Sequence, residues 1–270
     1  MIRRLQRGFL PPIIKWMNLD LNNLLEGWPH EPGQIRVRKV LGNDGREKLQ
    51  LRIDLGLIQM ELTGRPDGMR PHGSESLLDW HKERAEEAES RGETYTLTPE
   101  DCAELQHEGI QYYHRYISLF QLEDYPGVVR DTHRNLDLLD FVIKHAEREE
   151  LAWQIEQFRA YLIMMNTRAK ASIELDRNDY SAAIRQIERG HDKIVEALQE
   201  RPEAAQSSAE IQFLDQWLEE LRNKRPVTKL EMLQQEMDRA IADEAYERAA
   251  ELRDAIKAER NTASSSHSSS

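Results

Sequence analysis

Apolar and polar residues alternate along residues 35–63, which is the pattern of β-strands with one buried face. Ile35 and Val37 begin the alternation, and a second run extends from Leu49 to Leu55. Residues 43–45 between the two runs read Asn-Asp-Gly, a sequence that readily adopts the positive φ angles of a tight hairpin turn. The pattern therefore predicts an antiparallel hairpin here.

The alternation changes phase at Gly56 and Leu57, because the apolar residues from Ile58 to Leu62 fall at even positions. A period of two can change face only where a residue is added, so this point predicts a bulge or a turn. Residues 64–68, Gly-Arg-Pro-Asp-Gly, then predict a closing turn. Residues 35–63 are thus predicted to form a small antiparallel sheet with one apolar face.

From Ser74 onward, apolar residues recur every three or four positions, which predicts helices. Ser74 is the predicted cap of a helix that runs to about Arg91. Thr98 and Pro99 give a second start signal, since Thr favours the cap and Pro the first helical position. Further helices are predicted after Asp124, from Leu151 to Leu175, from about Tyr180, and after Pro202.

A weak internal repeat runs through this helical part. Tyr125 and Val128 after Asp124 are echoed by Tyr180 and Ala183. The second copy resembles a tetratricopeptide (TPR) helix pair, in which small residues let two helices approach. The first copy departs from that pattern, and the copies lie farther apart than the about 34 residues of a standard repeat. TPR-like packing is therefore expected, but a regular TPR array is not.

The C-terminal part predicts two short helices joined by a reversal. Leu230, Leu233 and Met237 share one face of the first helix, and residues 243–245 are too few for anything but a turn. The second helix aligns apolar and small positions with one charged residue: Tyr246, Ala249, Ala250, Arg253 and Ile256. So small a hairpin buries too little apolar surface to be firmly stable alone, which predicts a partner surface.

The run Tyr246-Glu247-Arg248-Ala249-Ala250-Glu251-Leu252-Arg253-Asp254 resembles the UvrB/UvrC (UVR) motif. That motif occurs in the excision-repair proteins UvrB and UvrC, in the ClpC chaperone and in its McsA-type adaptors, where the hairpin pairs with another such hairpin. The resemblance implies a partner-binding site formed by Leu233, Met237, Tyr246, Ala249, Ala250, Arg253 and Ile256, with Tyr246 as an exposed anchor. Residues 55–73 also resemble the front of bacterial UVR-motif proteins, a likeness that implies no reaction.

The amino-acid composition disfavours several classes of function and location. The 49 Asp and Glu residues outnumber the 37 Lys and Arg residues, which disfavours direct binding to nucleic acid. No segment has the roughly twenty consecutive apolar residues of a membrane span. A single cysteine, Cys102, excludes an intrachain disulfide and fits a reducing cytoplasm.

Searches for catalytic motifs give no phosphate-binding loop, nucleophile elbow or complete zinc-protease helix. His107 and Glu108 begin like such a helix but lack the second histidine, so a surface helix is expected. His107 and His114 could share a helix face, yet no third metal ligand is evident. The sequence predicts no catalytic residue, no metal and no cofactor.

The densest polar cluster follows the predicted sheet, on a loop rich in Gly and Pro. Arg65, Arg70 and His72 could bind a phosphate or carboxylate there, assisted by the helix N-terminus near Ser74. The structural alternative, which the sequence favours, is that Arg65 pairs with Asp67 to hold the turn.

These patterns predict an α+β protein that is mostly α. Its predicted parts are a basic arm (1–16), a small β domain (17–73), a TPR-like helical domain (74–225), a UVR hairpin (227–260) and a disordered tail (261–270). The expected function is a non-catalytic adaptor that binds other proteins through the UVR hairpin and the TPR-like helical surface. A protein bearing a UVR motif and a second copy of the chain are the two candidate partners. The alternatives are an enzyme or ligand-binding protein using residues 65–72 and a nucleic-acid-associated repair accessory.

Overall fold

The computed structural model describes residues 20–199, 202–225 and 229–267. The predicted basic arm lies outside the described residues. The helices are α1 (Asn22–Leu25), α2 (Leu77–Ser90), α3 (Pro99–Gln121), α4 (Tyr125–His145), α5 (Glu149–Glu156), α6 (Arg159–Asp176), α7 (Tyr180–Ala197), α8 (Pro202–Ser207), α9 (Ala209–Lys224), α10 (Lys229–Ala242) and α11 (Tyr246–His267). The strands are β1 (Val37–Leu41), β2 (Glu47–Ile53) and β3 (Gly56–Glu61). The predicted class, α+β and mostly α, is confirmed.

The three strands form an antiparallel sheet in the order β1-β2-β3, and the first turn is the predicted one. Gly45 has φ 73°, and the amide of Gly42 donates to the carbonyl of Arg46 over 2.8 Å. The second turn lies two residues earlier than predicted, because Ile53 pairs with Gly56. Asp54 and Leu55 are therefore the turn residues, and the Leu55 side chain, apolar by type, is 90% exposed.

The sheet and the helices share one hydrophobic core. Leu49, Leu51 and Met60 of the sheet belong to the same buried cluster as residues of α2, α3, α4, α6, α7 and α9. The boundary that the sequence places between residues 73 and 74 thus does not separate two cores. We refer to residues 35–225 of this shared core as the main body.

Helix starts follow the capping signals with one correction. Thr98 and Asp101 form the capping box of α3. The cap of α2 is Ser76 and not Ser74, and its hydroxyl accepts a hydrogen bond from the amide of Asp79 over 3.1 Å. Ser74 is extended instead, because a single 3₁₀ turn over Pro71–Gly73 delays the start of the helix.

Two helices that were predicted to be continuous are each divided in two. The predicted helix from Leu151 to Leu175 is broken between α5 and α6, where the amide of Phe158 donates to the carbonyl of Ile155 in a tighter turn. The helix predicted after Pro202 becomes α8 and α9, and Ser208 caps α9.

The long helices pack in chain order, α3 on α4, α4 on α6, α6 on α7 and α7 on α9. Small residues allow the closest of these approaches: a Cβ atom added to Gly190 would lie 2.0 Å from Oγ1 of Thr167 on α6. Ala169 and Ala171 of α6 and Ala183 of α7 are fully buried as well. The TPR-like character of this packing stays a prediction.

α11 runs to His267 and so includes residues 261–267, where the sequence predicts a disordered tail. Neither Gly nor Pro stands between Tyr246 and His267 to end the helix. Among the described residues, no helix is long and apolar enough to cross a membrane.

Candidate protein-binding site: the C-terminal helical hairpin

α10 and α11 form a hairpin whose turn is residues 243–245, as predicted. Glu244 adopts a left-handed φ of 55°, and the amide of Ala245 donates to the carbonyl of Ala240 over 2.8 Å. The helix then starts at once, since the amide of Ala249 donates to the carbonyl of Ala245. The two helices therefore reverse direction within three residues.

A small apolar cluster holds the hairpin together and is separate from the main core. Ala240, Ala249 and Leu252 are buried in it, and Leu233 and Met237 pack against them. The alanines keep the cluster thin, so that the two helices approach closely. A cluster of this size contributes little to stability by itself.

The seven residues predicted to bind a partner divide between two faces. Leu233, Met237, Ala249 and Ile256 are partly or fully buried, and the first three pack inside the hairpin. Tyr246, Ala250 and Arg253 are exposed. The predicted stripe does not include Leu252, which is 3% exposed and packs inside the hairpin with Ala240 and Ala249. The apolar type of Leu252, three residues after Ala249, was the signal.

The turn of the hairpin has two close counterparts in the main body. Glu123, Asn178 and Glu244 are the left-handed residues, with φ values of 59°, 61° and 55°. In each turn the next residue donates its amide to a carbonyl five residues earlier, over 2.9, 2.9 and 2.8 Å. Four residues after that donor, the side chain is buried in all three: Val128, Ala183 and Ala249. The weak repeat seen in the sequence thus extends to the hairpin.

Each of these turns is followed by a tyrosine at the first position of the next helix. Tyr125 and Tyr180 are partly buried and pack against the main core. Tyr246 stands at the equivalent place with 67% of its surface exposed. Ile241, just before the same turn, is 48% exposed. The turn end of the hairpin therefore presents two apolar side chains that the described residues do not cover.

Exposed charged side chains pair along and across the hairpin. Arg248 lies 3.7 Å from Glu236 across the hairpin and 2.9 Å from Glu251 along α11, and all three are exposed. Exposed pairs of this kind contribute at most about 1 kcal/mol. Residues 228–261 contain more acidic than basic side chains, so the hairpin offers no basic stripe for a phosphate backbone.

The comparisons with known proteins identify this segment. Residues 228–261 match the model of the UvrB/uvrC motif, so the hairpin is a UVR motif. Motifs of this type occur in proteins linked to excision repair and mediate contacts between proteins. Neither the curated proteins nor the solved structures gave a match to this chain.

The predicted anion-binding residues do not converge. Nε of Arg65 lies 3.0 Å from Oε1 of Glu108, and the same guanidinium lies 3.5 Å from Asp67. Arg70 is exposed, and the His72 ring stacks on Trp80 with centroids 4.2 Å apart. The Arg65–Asp67 pair that the sequence favoured is present, in a turn that the amide of Gly68 closes by donating to the carbonyl of Arg65 over 2.9 Å.

The helix N-terminus that was expected to assist an anion already holds a carboxylate of the chain. Glu108, fully buried, accepts hydrogen bonds from the amides of Leu77 and Leu78 over 2.7 and 3.2 Å. It also pairs with Arg134 of α4. The expectation of a surface helix around His107 and Glu108 was wrong at Glu108, although His107 is exposed.

A second buried pair lies beside the first. Arg115 binds Asp131 through two hydrogen bonds of 2.7 and 2.8 Å, and both side chains are 1% exposed. Arg115 also donates to the carbonyl of Gly64, which ties α3 to the loop after the sheet. Each guanidinium thus faces a carboxylate of the chain, although Nε of Arg65 and Nε of Arg134 are buried without a hydrogen-bond partner among the described residues. Neither Arg65 nor Arg115 is therefore a free cationic centre in this loop. No group of three metal-ligating side chains occurs within the described ranges.

Proposed function

We propose that this chain is a non-catalytic adaptor that binds a protein partner through its UVR hairpin, with Tyr246 as the anchor. The observation that carries the proposal is the contrast among three equivalent tyrosines. Tyr125 and Tyr180 pack against the main core, whereas Tyr246 is 67% exposed. A tyrosine in this position is normally covered in this molecule, and a partner would supply the cover that the chain itself does not.

The physical properties of the turn end support an interface. Tyrosine buries a large apolar area at a small cost in conformational entropy, and aromatic residues dominate the centres of interfaces. Ile241, on the other side of the turn, adds a second exposed apolar side chain, and the hairpin also carries the exposed charges of Arg248, Glu236 and Glu251. Exposed apolar side chains together with charged ones are usual in protein-binding surfaces.

The partner is proposed to be another UVR hairpin, on a different protein or on a second copy of this chain. Pairing of two such hairpins would cover both copies of the tyrosine at once. Excision repair and protein quality control are the two proposed pathways, in the cytoplasm, and the helices of the main body are proposed as a second docking surface. The loop of residues 65–72 is less suited to an enzyme site, because Arg65 is engaged by Glu108 and Asp67.

The test is Tyr246→Ala in the full-length chain. Truncating an interface anchor typically costs about 2 kcal/mol of binding free energy, so association should weaken by at least about tenfold. Self-association is measured by sedimentation equilibrium. For a different partner, capture from native extract with the full-length chain and with a chain ending at Arg225 identifies proteins whose retention needs the hairpin. Calorimetric titration of such a protein then compares the variants.

Leu55→Ala is the matched control, because it also removes a large exposed apolar side chain, 90% exposed, but far along the chain from the hairpin. It should associate as the parent does, and both variants should melt normally. The chain ending at Arg225 should keep a cooperative melt, since the hairpin cluster is separate from the main core. Equal affinities for the parent and Tyr246→Ala would show that Tyr246 is not the anchor.

A further inference from the structure

A groove of about 520 Å³ lies between α3, α4, α5 and α6, on the main body and independent of the UVR hairpin. Its walls include the apolar side chains of Leu139, Ile155 and Leu162, and Phe158 stands at the break between α5 and α6. Phe158 and Ile110 are 47% and 45% exposed. The volume falls within the range of about 300–1,000 Å³ that is typical of small-molecule sites.

No charged side chain lines this groove among the described residues. The one lining imidazole, His114, is kept neutral near pH 7, because burial lowers the pKa of its ring below the ordinary value of 6.5. A carboxylate or phosphate ligand would lose its hydration here and gain no counter-charge. The groove is therefore suited to an uncharged molecule.

Three tyrosines meet in the groove. The rings of Tyr113 and Tyr116 lie edge to face with centroids 5.5 Å apart, and Tyr161 lies 6.4 Å from Tyr113. The pKa of the Tyr116 hydroxyl is raised by burial, with smaller contributions from Tyr161 and Tyr113, so the group stays protonated and able to donate. The groove therefore brings three aromatic rings and their hydroxyl groups close together.

Tyr116 is the residue that points to a ligand. It is only 2% exposed, it lines the groove, and its hydroxyl has no hydrogen-bond partner among the described residues. The hydroxyl oxygen itself is not enclosed and opens to the groove, where water can hydrate it. A ligand that displaces this water must supply an acceptor, because an unpaired buried donor costs about 1–3 kcal/mol. An apolar side chain of a docked protein would fill the groove but would leave this donor unpaired.

We propose that the groove binds a neutral, flat aromatic molecule carrying a hydrogen-bond acceptor, such as a ketone oxygen, that takes a hydrogen bond from the Tyr116 hydroxyl. The ring of the ligand packs among Phe158, Tyr161 and Leu139, and its acceptor is directed to Tyr116. The site is separate from the hairpin, so the chain can sense a small molecule in one part and hold a protein in the other.

The probe is prodan, a neutral naphthalene dye with a propionyl group, titrated with the full-length chain and followed by fluorescence anisotropy. Saturable binding is expected. Tyr116→Phe, which keeps the ring and removes the hydroxyl, should weaken binding by about three- to tenfold, the usual effect of one hydrogen bond. Tyr112→Phe is the matched control: it removes a hydroxyl from the same helix, but its ring packs under Arg134 and Arg115, outside the groove.

Competition tests the chemistry of the ligand. Neutral 2-acetylnaphthalene should displace the dye at least about tenfold more effectively than 2-naphthoate, which has the same ring system and a negative charge at pH 7. Ile110→Trp at the half-exposed rim should fill the entrance and abolish binding without disturbing the thermal melt. Non-saturable binding, equal affinities for Tyr116→Phe and Tyr112→Phe, or equal competition by the two naphthalenes would each overturn the proposal.

Discussion

The main body and the hairpin use the same turn between helices and differ in what lies beyond it. In the main body, a left-handed residue at Glu123 or Asn178 is followed by a capping aspartate, a tyrosine and a buried small or branched residue. In the hairpin, Glu244 is followed by Ala245 and by Tyr246, with the same backbone hydrogen bond. The local geometry is thus preserved while the surroundings change.

The comparison shows which features of the structure the turn determines and which depend on the helices around it. The turn sets the reversal of the chain and the burial of the residue at its inner position, Val128, Ala183 or Ala249. It does not determine whether the tyrosine is covered. Further helices of the main body cover Tyr125 and Tyr180, whereas no further helix among the described residues covers Tyr246. The same turn and tyrosine thus leave an exposed apolar side chain where no further helix packs against them.

The largest expected effect concerns the main body alone. Glu108→Ala leaves Arg65 and Arg134 without their shared carboxylate and the amides of Leu77 and Leu78 without their acceptor. Breaking a buried ion pair from one side typically costs about 3–5 kcal/mol, so the urea midpoint of the main body should fall sharply. Tryptophan fluorescence during urea unfolding measures this change.

Glu104→Ala is the control for that prediction, because Glu104 is exposed one turn earlier on the same helix. It should change the free energy of unfolding by less than about 0.5 kcal/mol. Similar losses in both variants would mean that the buried pairs contribute nothing beyond an ordinary surface charge.

A smaller effect is expected from Gly190→Ala. The new Cβ atom would lie 2.0 Å from Oγ1 and 2.7 Å from Cβ of Thr167, so α6 and α7 must separate. Overpacking of this kind costs typically about 1–3 kcal/mol, which thermal unfolding followed by circular dichroism would detect. Gly109→Ala is the comparison, because its nearest neighbour would be 3.8 Å away. That variant should be as stable as the parent or more stable.

The smallest change in stability is expected in the hairpin. It tests whether the turn at Glu244 is equivalent to those at Glu123 and Asn178. Asp124 and Asp179 each accept a hydrogen bond from an amide three residues later, and Ala245 at the equivalent place has no such group. Ala245→Asp should therefore stabilise the hairpin by about 1 kcal/mol, visible as slower hydrogen exchange in α10 and α11. Ala242→Asp adds the same charge at the end of α10, where it cannot cap α11. Equal protection in both variants would show that the turns are not equivalent.

Local signals explain what the sequence predicted correctly. The Asn-Asp-Gly turn, the helix cap at Thr98 and the reversal at residues 243–245 each depend on a few neighbouring residues, and each is confirmed. The UVR motif was recognisable for the same reason, because its ordered run of Tyr, Glu, Ala, Leu, Arg and Asp is local. Features of this kind need no knowledge of the tertiary fold.

Features that depend on distant residues were not predicted. Glu108 looks like an ordinary surface glutamate in sequence, and its role follows from Arg65 and Arg134, far away along the chain. The tyrosine groove requires α3 and α6 to meet, which no periodicity specifies. Leu252 was missed for a different reason: helical spacing fits the stripe through Ala249, Ala250 and Arg253 as well as one through Leu252, and spacing alone does not say which positions are buried inside the hairpin.

The position of Glu108 has a consequence for the order in which the chain assembles. Its carboxylate is satisfied only when the loop carrying Arg65, the start of α2 and Arg134 of α4 have all arrived at α3. A buried carboxylate that lacks any of these partners is unfavourable. States in which only some of the elements have docked are therefore destabilised relative to the complete structure. The buried carboxylate therefore couples the sheet and the helices energetically, because its full set of partners exists only when all of these elements are in place.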